Sequence, residues 1–174
     1  MKIFYSVFIL FFLTACSSVD INQYKDNKPT LVLDQFFKGD LTAHGILKNR
    51  SGEVTRYFNV TMTGTWDDQG IGTLAEKFIF NDESIQYRTW TFTPISTDEG
   101  IKYQATANDT LAATMIDLSG NSFFMNYQGD DIDVNIDDKM YLINDEVLIN
   151  ESVMTKYGIE VGYITLTIIK SPVE

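Results

Sequence analysis

The sequence predicts an all-β domain, more specifically an antiparallel up-and-down β-barrel of about eight to ten strands. Runs of strand length, rich in β-branched and aromatic residues, recur along the chain with short polar turns between them. No amphipathic segment is long enough to form a helix of useful length. The predicted hairpins follow one another with similar lengths, and nothing resembles a long Greek-key crossover, which favours a barrel over a sandwich.

Residues 1–15 are typical of a lipoprotein signal peptide. Lys2 precedes an apolar run over residues 3–13, and small residues lie directly before Cys16. A run of this length suits a signal peptide, whereas a membrane-spanning helix needs about 20 apolar residues. Cys16 is therefore the predicted first residue of the mature protein and its lipid attachment site. An ordinary secretory signal and an N-terminal transmembrane anchor are the alternatives.

The residue after this cysteine bears on localisation. Lipoproteins with aspartate at that position are retained in the inner membrane, and Ser17 does not match this rule. We therefore expect the outer membrane of a Gram-negative bacterium, with the protein on the periplasmic face and its acyl chains as the membrane contact.

Composition narrows the possible partners. The formal net charge is −11, which disfavours nucleic acid and electrostatic docking to anionic lipid headgroups. One cysteine and one histidine are too few for a disulfide or for the common zinc sites. The aspartates between positions 130 and 138 lack the glycine and terminal glutamate of an EF-hand, so they are predicted to form a solvated acidic edge. No metal or cofactor is predicted, and the sequence identifies no protein partner.

The mature chain divides into a tether and one domain. Residues 16–30 are polar and aperiodic, as expected of a lipidated tether, and residues 31–174 are predicted to form the barrel. Residues 31–37 are expected to be a lid or a first turn that packs on the fold. The predicted strands cover residues 40–48, 54–66, 73–80, 84–93, 101–107, 111–118, 122–128, 132–136, 139–143, 147–150 and 159–169. Pro94 is expected to break the fourth strand, and residues 152–157 to form a helical turn with Ser152 as its cap and Gly158 as its end.

The third and fourth strands place an opposite-charge pair inside an aromatic face. A three-residue turn at 81–83 puts Glu76 opposite Arg88 and Leu74 opposite Trp90. The pair has two interpretations. It can be a buried ion pair that fixes the register of the strands, or a polar handle that orients a fatty acid or similar amphiphile in a cavity.

Aromatic residues are the other candidates for a ligand pocket, although such residues more often fill the interior of a small barrel. With the charged pair, the predicted ligand-binding residues are Trp66, Glu76, Phe78, Arg88, Trp90, Phe92 and Tyr141.

An ordered series of motifs runs over nearly the whole mature chain. They are DQFFKG at 34–39, RSG at 50–52, GTW at 64–66, GTLAE at 72–76, RTW at 88–90, DDKMYL at 137–142 and the run over 158–170. This series resembles the bacterial lipoprotein family numbered 3833 among the domains of unknown function. The resemblance implies a lipoprotein with a lipocalin-like, calycin-type β-barrel and no established activity.

Three functions remain open at this point. A binding module for a small apolar or amphipathic ligand, such as a lipid, predicts an internal cavity of roughly a few hundred Å³. A non-catalytic structural or assembly factor of the cell envelope predicts a filled barrel and an exposed apolar patch. An enzyme is least favoured, because its only candidates, Glu76, Asp137 and Asp138, stand at no recognised catalytic spacing.

The lipid anchor yields a direct prediction. Replacing the only thiol by Cys16→Ser removes the attachment site, so the protein is expected to leave the membrane fraction for the soluble periplasmic fraction. Fractionation followed by immunoblotting measures this change. A variant that still pelleted with membranes would place the anchor elsewhere in the chain.

Overall fold

The computed structural model describes residues 19–98, 100–130 and 133–171. Its strands form one closed barrel, in which each strand pairs antiparallel with its neighbours in the chain and the last strand pairs with the first. The predicted up-and-down barrel is confirmed. Cys16 and the signal peptide lie outside the described residues. Among the described residues, no helix has the length and apolar character needed to cross a membrane.

The secondary structure is almost entirely sheet. In chain order the elements are a 3₁₀ turn at Ile21–Tyr24, helix α1 at Leu33–Phe36, and strands β1 (Gly39–Asn49), β2 (Val54–Trp66), β3 (Gly72–Phe80), β4 (Ile85–Thr97), β5 (Gly100–Ala107), β6 (Thr114–Ser119), β7 (Ser122–Gln128), β8 (Asn135–Asn144), β9 (Val147–Lys156) and β10 (Ile159–Lys170).

Alternation along the strands divides inside from outside. In β2, Phe58, Val60 and Met62 point inward and are buried, while the residues between them are exposed. The inward residues of all ten strands meet in a single apolar core, to which residues of the N-terminal segment also belong.

Residues 31–37 close one end of the barrel. Leu31, Leu33, Phe36 and Phe37 are buried, and the ring of Phe37 stacks on that of Phe92 with 6.3 Å between centroids. The expected lid is present, and we refer to residues 31–37 as the lid. Because the strands alternate in direction, the turns at 50–53, 81–84, 108–113 and 157–158 lie at the opposite end, which we call the mouth.

The described part of the predicted tether lies against the outside of the barrel. Tyr24 contacts Phe124 and Tyr141 edge-on, with centroids 5.9 and 5.4 Å apart. The backbone N–H of Leu31 donates to the carbonyl oxygen of Gly120 at 2.9 Å. A Cβ atom at Gly120 would lie 1.8 Å from the carbonyl oxygen of Tyr24, so glycine permits this close approach.

The predicted break at Pro94 is wrong, because β4 continues to Thr97. Pro94 pairs with Tyr103 of β5, whereas pairing between β3 and β4 already ends at Phe92. The last residues of β4 therefore have a neighbouring strand on one side only. Proline is tolerated there because its missing N–H leaves no ladder bond unmade on the open side.

Two predictions near the C-terminus are also wrong. The pair of short strands at 132–136 and 139–143 is one continuous strand, β8, through Asp138. The expected helical turn at 152–157 belongs to β9, because Ser152 pairs with Asp138 on one side and Ile164 on the other. Gly158 does have a positive φ of 76°, but it shares a two-residue hairpin turn with Tyr157, whose φ is 52°.

The contact between β2 and the lid can be tested at Gly64. A Cβ atom there would lie 1.7 Å from the carbonyl oxygen of Phe37, so Gly64→Ala must displace the lid or the strand. We expect the free energy of unfolding to fall by about 1–3 kcal/mol in urea denaturation. The control is Thr65→Ala at the exposed neighbouring position, where we expect a loss of about 1 kcal/mol or less. Equal losses of unfolding free energy in the two variants would show that the lid does not pack closely against Gly64.

Candidate functional site

An internal cavity lies between the lid and the mouth. Its volume is about 80 Å³, and most of its wall is apolar. The polar residues of the wall are Glu76, Arg88, Tyr127, Asp138, Asn150 and Ser152. We call this space the inner cavity.

A second pocket, of about 180 Å³, continues toward the mouth, where Arg56, Phe80 and Asp109 contribute to its wall. We call it the outer pocket. Residues on the walls of both spaces mark the boundary between them. They are Phe58, Phe78, Arg88 and Ile164. A ligand that reaches the inner cavity from the mouth must pass this boundary.

The register predicted for the third and fourth strands is confirmed, because Glu76 pairs with Arg88 and Leu74 with Trp90. The short contacts of the Arg88 guanidinium, however, go to Asp109 in the turn after β5. Nε lies 2.8 Å and Nη2 2.7 Å from Oδ2 of that carboxylate. Sequence spacing could not show this contact, since it joins a strand to a distant turn. The contact with Asp109 directs the positive charge of the Arg88 guanidinium toward the mouth.

The carboxyl of Glu76 lies inside the barrel, and its contacts there do not fully offset its loss of hydration. Burial raises the pKa of Glu76 to about 7, because the loss of hydration penalises the carboxylate more than the charge of Arg88 stabilises it. Asp138 and Asp109 raise the pKa further by repulsion. Within the described chain, the buried Oε2 atom has no hydrogen-bond partner. The side chain is thus a polar group facing a small apolar space.

Asp138 places a second carboxyl in the same cavity. Only 6% of its surface is exposed, and burial raises its pKa, although Ser152, Asn150 and Arg88 oppose the rise. Its Oδ1 atom and the Nδ2 atom of Asn150 have no hydrogen-bond partner among the described residues. The solvated acidic edge predicted for this aspartate is therefore wrong. Asp137, the preceding residue, does face outward, where its carboxylate lies 3.6 Å from Nζ of Lys139.

Tyr127 completes the polar wall. It is buried and packs edge-on against Trp90, with 5.1 Å between ring centroids. Burial raises its pKa well above the usual value, so that the hydroxyl stays protonated. This hydroxyl donates a hydrogen bond to the carboxyl of Asp138, which lowers the pKa of that group.

The structure brings most of the predicted ligand-binding residues together. Those that line the inner cavity are Glu76, Phe78, Arg88, Trp90 and Phe92. Trp66 lies at the lid end, where its ring stacks on Phe92 at 6.1 Å. Tyr141 points out of the barrel and packs against Tyr24. The ligand-binding residues predicted from the sequence do not include Asp138, Tyr127, Asn150 and Ser152, which simple alternation along β7, β8 and β9 would have placed inside. The sequence assigns Asp138 only to the acidic edge and to the catalytic candidates. No group of three or more acidic, histidine or cysteine side chains among the described residues is arranged to hold a metal ion.

Comparisons with known proteins address the fold and the family. The family model DUF3833, described as a protein of unknown function, matches residues 10–170. No curated protein matches the sequence. The structure is similar to an S-type phycobiliprotein lyase from Guillardia theta, with 10% identity and a TM-score of 0.63 over 83% of this chain and 95% of that one. It is also similar to a DUF3598 protein of unknown function from Nostoc punctiforme, with 13% identity and a TM-score of 0.59 over 83% of this chain and 51% of that one. These likenesses confirm the lipocalin-like, calycin-type barrel and, at such low identity, show the fold alone.

The buried carboxyl of Glu76 makes stability depend on pH. The unfolded chain releases this proton near the ordinary pKa of 4.5, whereas the folded protein holds it to about pH 7. The stability that this group contributes is thus complete below pH 4.5 and is lost as the pH rises through 7. Glu76→Gln is expected to match the wild type near pH 5 and to exceed it at pH 8, by up to about 3 kcal/mol.

Urea denaturation of both proteins at several pH values between 5 and 8 measures this difference. Asp137→Asn is the matched control, because Asp137 lies on the outside of the barrel with 45% of its side chain exposed. Its stability profile is expected to run parallel to that of the wild type. A parallel profile for Glu76→Gln as well would contradict the inward placement of this carboxyl.

Proposed function

The chain belongs to the DUF3833 family of proteins of unknown function, and we propose that it is a lipid-anchored binding protein of the bacterial cell envelope. In this proposal the barrel holds a small apolar or amphipathic ligand whose polar end reaches the inner cavity. The observation that carries the proposal is the presence of unpartnered polar atoms on Glu76 and Asp138 in the wall of that cavity.

A structural role in fixing the register of β3 and β4 accounts for the pairing of Glu76 with Arg88 but not for the unpartnered atoms of Glu76 and Asp138. Burying a polar atom without a partner costs about 1–3 kcal/mol, and an apolar side chain of similar size would avoid that cost. In native proteins such atoms are few, and perturbed titratable groups cluster at functional sites. A bound molecule that supplies the missing hydrogen bonds accounts for the retention of these two carboxyls.

The dimensions of the two spaces limit the ligand. The inner cavity of about 80 Å³ is smaller than the few hundred Å³ expected for a binding module, and the outer pocket adds about 180 Å³. A narrow molecule fits better, with its polar end inside and its apolar part passing Phe58, Phe78 and Ile164 into the outer pocket. A single alkyl chain has this shape.

We propose binding rather than catalysis. Glu76 and Asp138 belong to β3 and β8, which stand on opposite walls of the barrel, rather than side by side as an acid–base pair. The hydroxyl of Ser152 lies 3.1 Å from Oδ1 of Asn150, to which it donates, and no described histidine lies on the wall of the inner cavity. These contacts suit the recognition of a ligand better than the activation of a nucleophile.

The anchor belongs to the same proposal. Acyl chains on Cys16 would hold the barrel at the periplasmic face of the outer membrane. The strongly acidic chain makes this covalent attachment the main source of membrane affinity, since anionic headgroups repel it.

One surface favours the second candidate, a structural or assembly factor. Large apolar side chains are exposed on the outer face of β2, β3 and β4 near the mouth. They are Tyr57 at 61%, Ile79 at 39%, Ile85 at 48% and Tyr87 at 68%. Ile79 and Ile85 are direct cross-strand neighbours, so their side chains form a shared apolar surface across β3 and β4.

The binding proposal can be tested by blocking the boundary between the two spaces. Ile164 lines both of them, so the larger side chain of Ile164→Trp fills the passage. The full chain carrying Cys16→Ser, secreted and purified without detergent, is expected to carry a non-covalent small molecule in native mass spectrometry. The added Ile164→Trp change should lower the bound fraction about tenfold, whereas Thr165→Trp on the outer face of the same strand should leave it unchanged.

If the measured mass shows no bound molecule, the same variants are tested with added ten-carbon probes, namely 1-decanol, decanoate and decylammonium. Failure of all three to bind, or binding that Ile164→Trp does not reduce, would overturn the proposed site and leave the exposed patch as the functional surface.

A further inference from the structure

We infer that the inner cavity recognises a protonated primary amine, held between the carboxyls of Glu76 and Asp138. The inference rests on the proposed function, since it requires a ligand inside the barrel, and it adds the chemical class of the group that is recognised.

The balance of charge in the two spaces is the first argument. The carboxyls on their walls belong to Glu76, Asp138 and Asp109, and Asp109 is already held by Arg88 at 2.7 Å. The charge of Arg88 also acts on Glu76 and Asp138, but among the described residues neither of these carboxyls forms an ion pair of its own. Arg56, the other cation of the outer pocket, lies 3.1 Å from Asp82 at the mouth. The described walls therefore hold an excess of two carboxyls, which favours a positively charged group in the inner cavity.

The positions of the two carboxyls are the second argument. In the closed ring of ten strands, β3 and β8 are five strands apart, so Glu76 and Asp138 face each other across the barrel. Each has one buried oxygen without a hydrogen-bond partner in the described chain. An ammonium group has three N–H donors and no acceptor, so it can donate to one of these oxygens while its charge is attracted by the other carboxyl.

The contacts of Arg88 are the third argument, because they argue against a carboxylate ligand. A fatty acid would bring its negative charge to a wall with two carboxyls. The guanidinium that would have to bind it already donates to Asp109 through both Nε and Nη2. The fatty-acid orientation considered from the sequence therefore does not fit the structure. The structure favours a positively charged headgroup, whereas the fatty acid considered from the sequence has a negatively charged one.

Burial of the carboxyls supports the same conclusion. Arg88, Asp138, Asp109 and Tyr127 are the titratable groups that interact with Glu76, and the net result, dominated by burial, is a pKa of about 7. A cation in the cavity offsets the cost of ionising this group. The amine itself stays protonated, because an alkylammonium has a pKa of about 10 like that of lysine. Binding is therefore expected to strengthen by up to about tenfold between pH 6 and pH 8.

Isothermal titration calorimetry with matched ten-carbon probes tests the inference. The protein is the full chain carrying Cys16→Ser, and the probes are decylammonium, 1-decanol and decanoate below their micellar concentrations. Decylammonium is expected to bind at a ratio of one to one, at least about tenfold more tightly than decanol and more tightly still than decanoate.

Variants separate the headgroup from the alkyl chain. Glu76→Gln and Asp138→Asn should each weaken decylammonium binding by about tenfold or more, while decanol binding stays within about threefold. Asp137→Asn removes a carboxyl from the outer face of the same strand and should change neither probe. Two inward variants are used so that the test survives if one of them folds poorly.

The outcomes distinguish the inference from the proposed function. If decanol or decanoate binds as tightly as decylammonium and the inward variants change nothing, the amine is overturned while the barrel remains a binding site. If no probe binds in a way that Ile164→Trp blocks, the binding function fails and the inference fails with it. Tighter binding of decanoate would assign the headgroup to Arg88 instead.

Discussion

The burial of two carboxyls inside a closed sheet is the constraint on which the rest of this structure depends. A closed barrel satisfies its backbone hydrogen bonds within the ladder, so its interior can be almost wholly apolar. In an apolar interior a carboxylate loses its hydration, and no other interaction fully replaces it. The pKa of Glu76 is therefore about 7 rather than 4.5. The lid, the aromatic walls and the direction of Arg88 toward Asp109 all maintain this condition.

Glycine and aromatic residues together decide where the barrel is filled and where it stays open. The ring of Trp66 occupies the space that a Cβ atom at Gly72 would take, 2.4 Å from the ring, and Phe58 lies in the same way against Gly45. Trp66 thereby packs the lid end through its contact with Phe92. The remaining volume is left at the level of Glu76, next to the boundary with the outer pocket.

Side-chain alternation and turn length were sufficient to predict the sheet and the wall of the inner cavity that β3 and β4 form. The short turn after β3 was enough to place Glu76 opposite Arg88, because a register shifted by one residue would bring the like charge of Lys77 opposite Arg88 instead. The other wall was missed because the two adjacent aspartates at 137–138 predict a gap between two strands. Once β8 is continuous, alternation sends Asp138 inward and Tyr141 outward, the reverse of the expected roles. The contact of Arg88 with Asp109 joins distant parts of the chain, so neither alternation nor turn chemistry could predict it.

Stability and recognition are linked through the same two carboxyls. Above pH 7 the folded protein holds an ionised Glu76 in a wall that disfavours it, and the free energy lost to that burial is recovered by any cation that enters the cavity. A ligand that binds only the folded state then stabilises the barrel most where the empty barrel is weakest. An apolar replacement at both positions would give a more stable barrel with nothing to distinguish one alkyl chain from another. The unpartnered oxygens of Glu76 and Asp138 are thus better explained by selectivity for a headgroup than by any contribution to the fold.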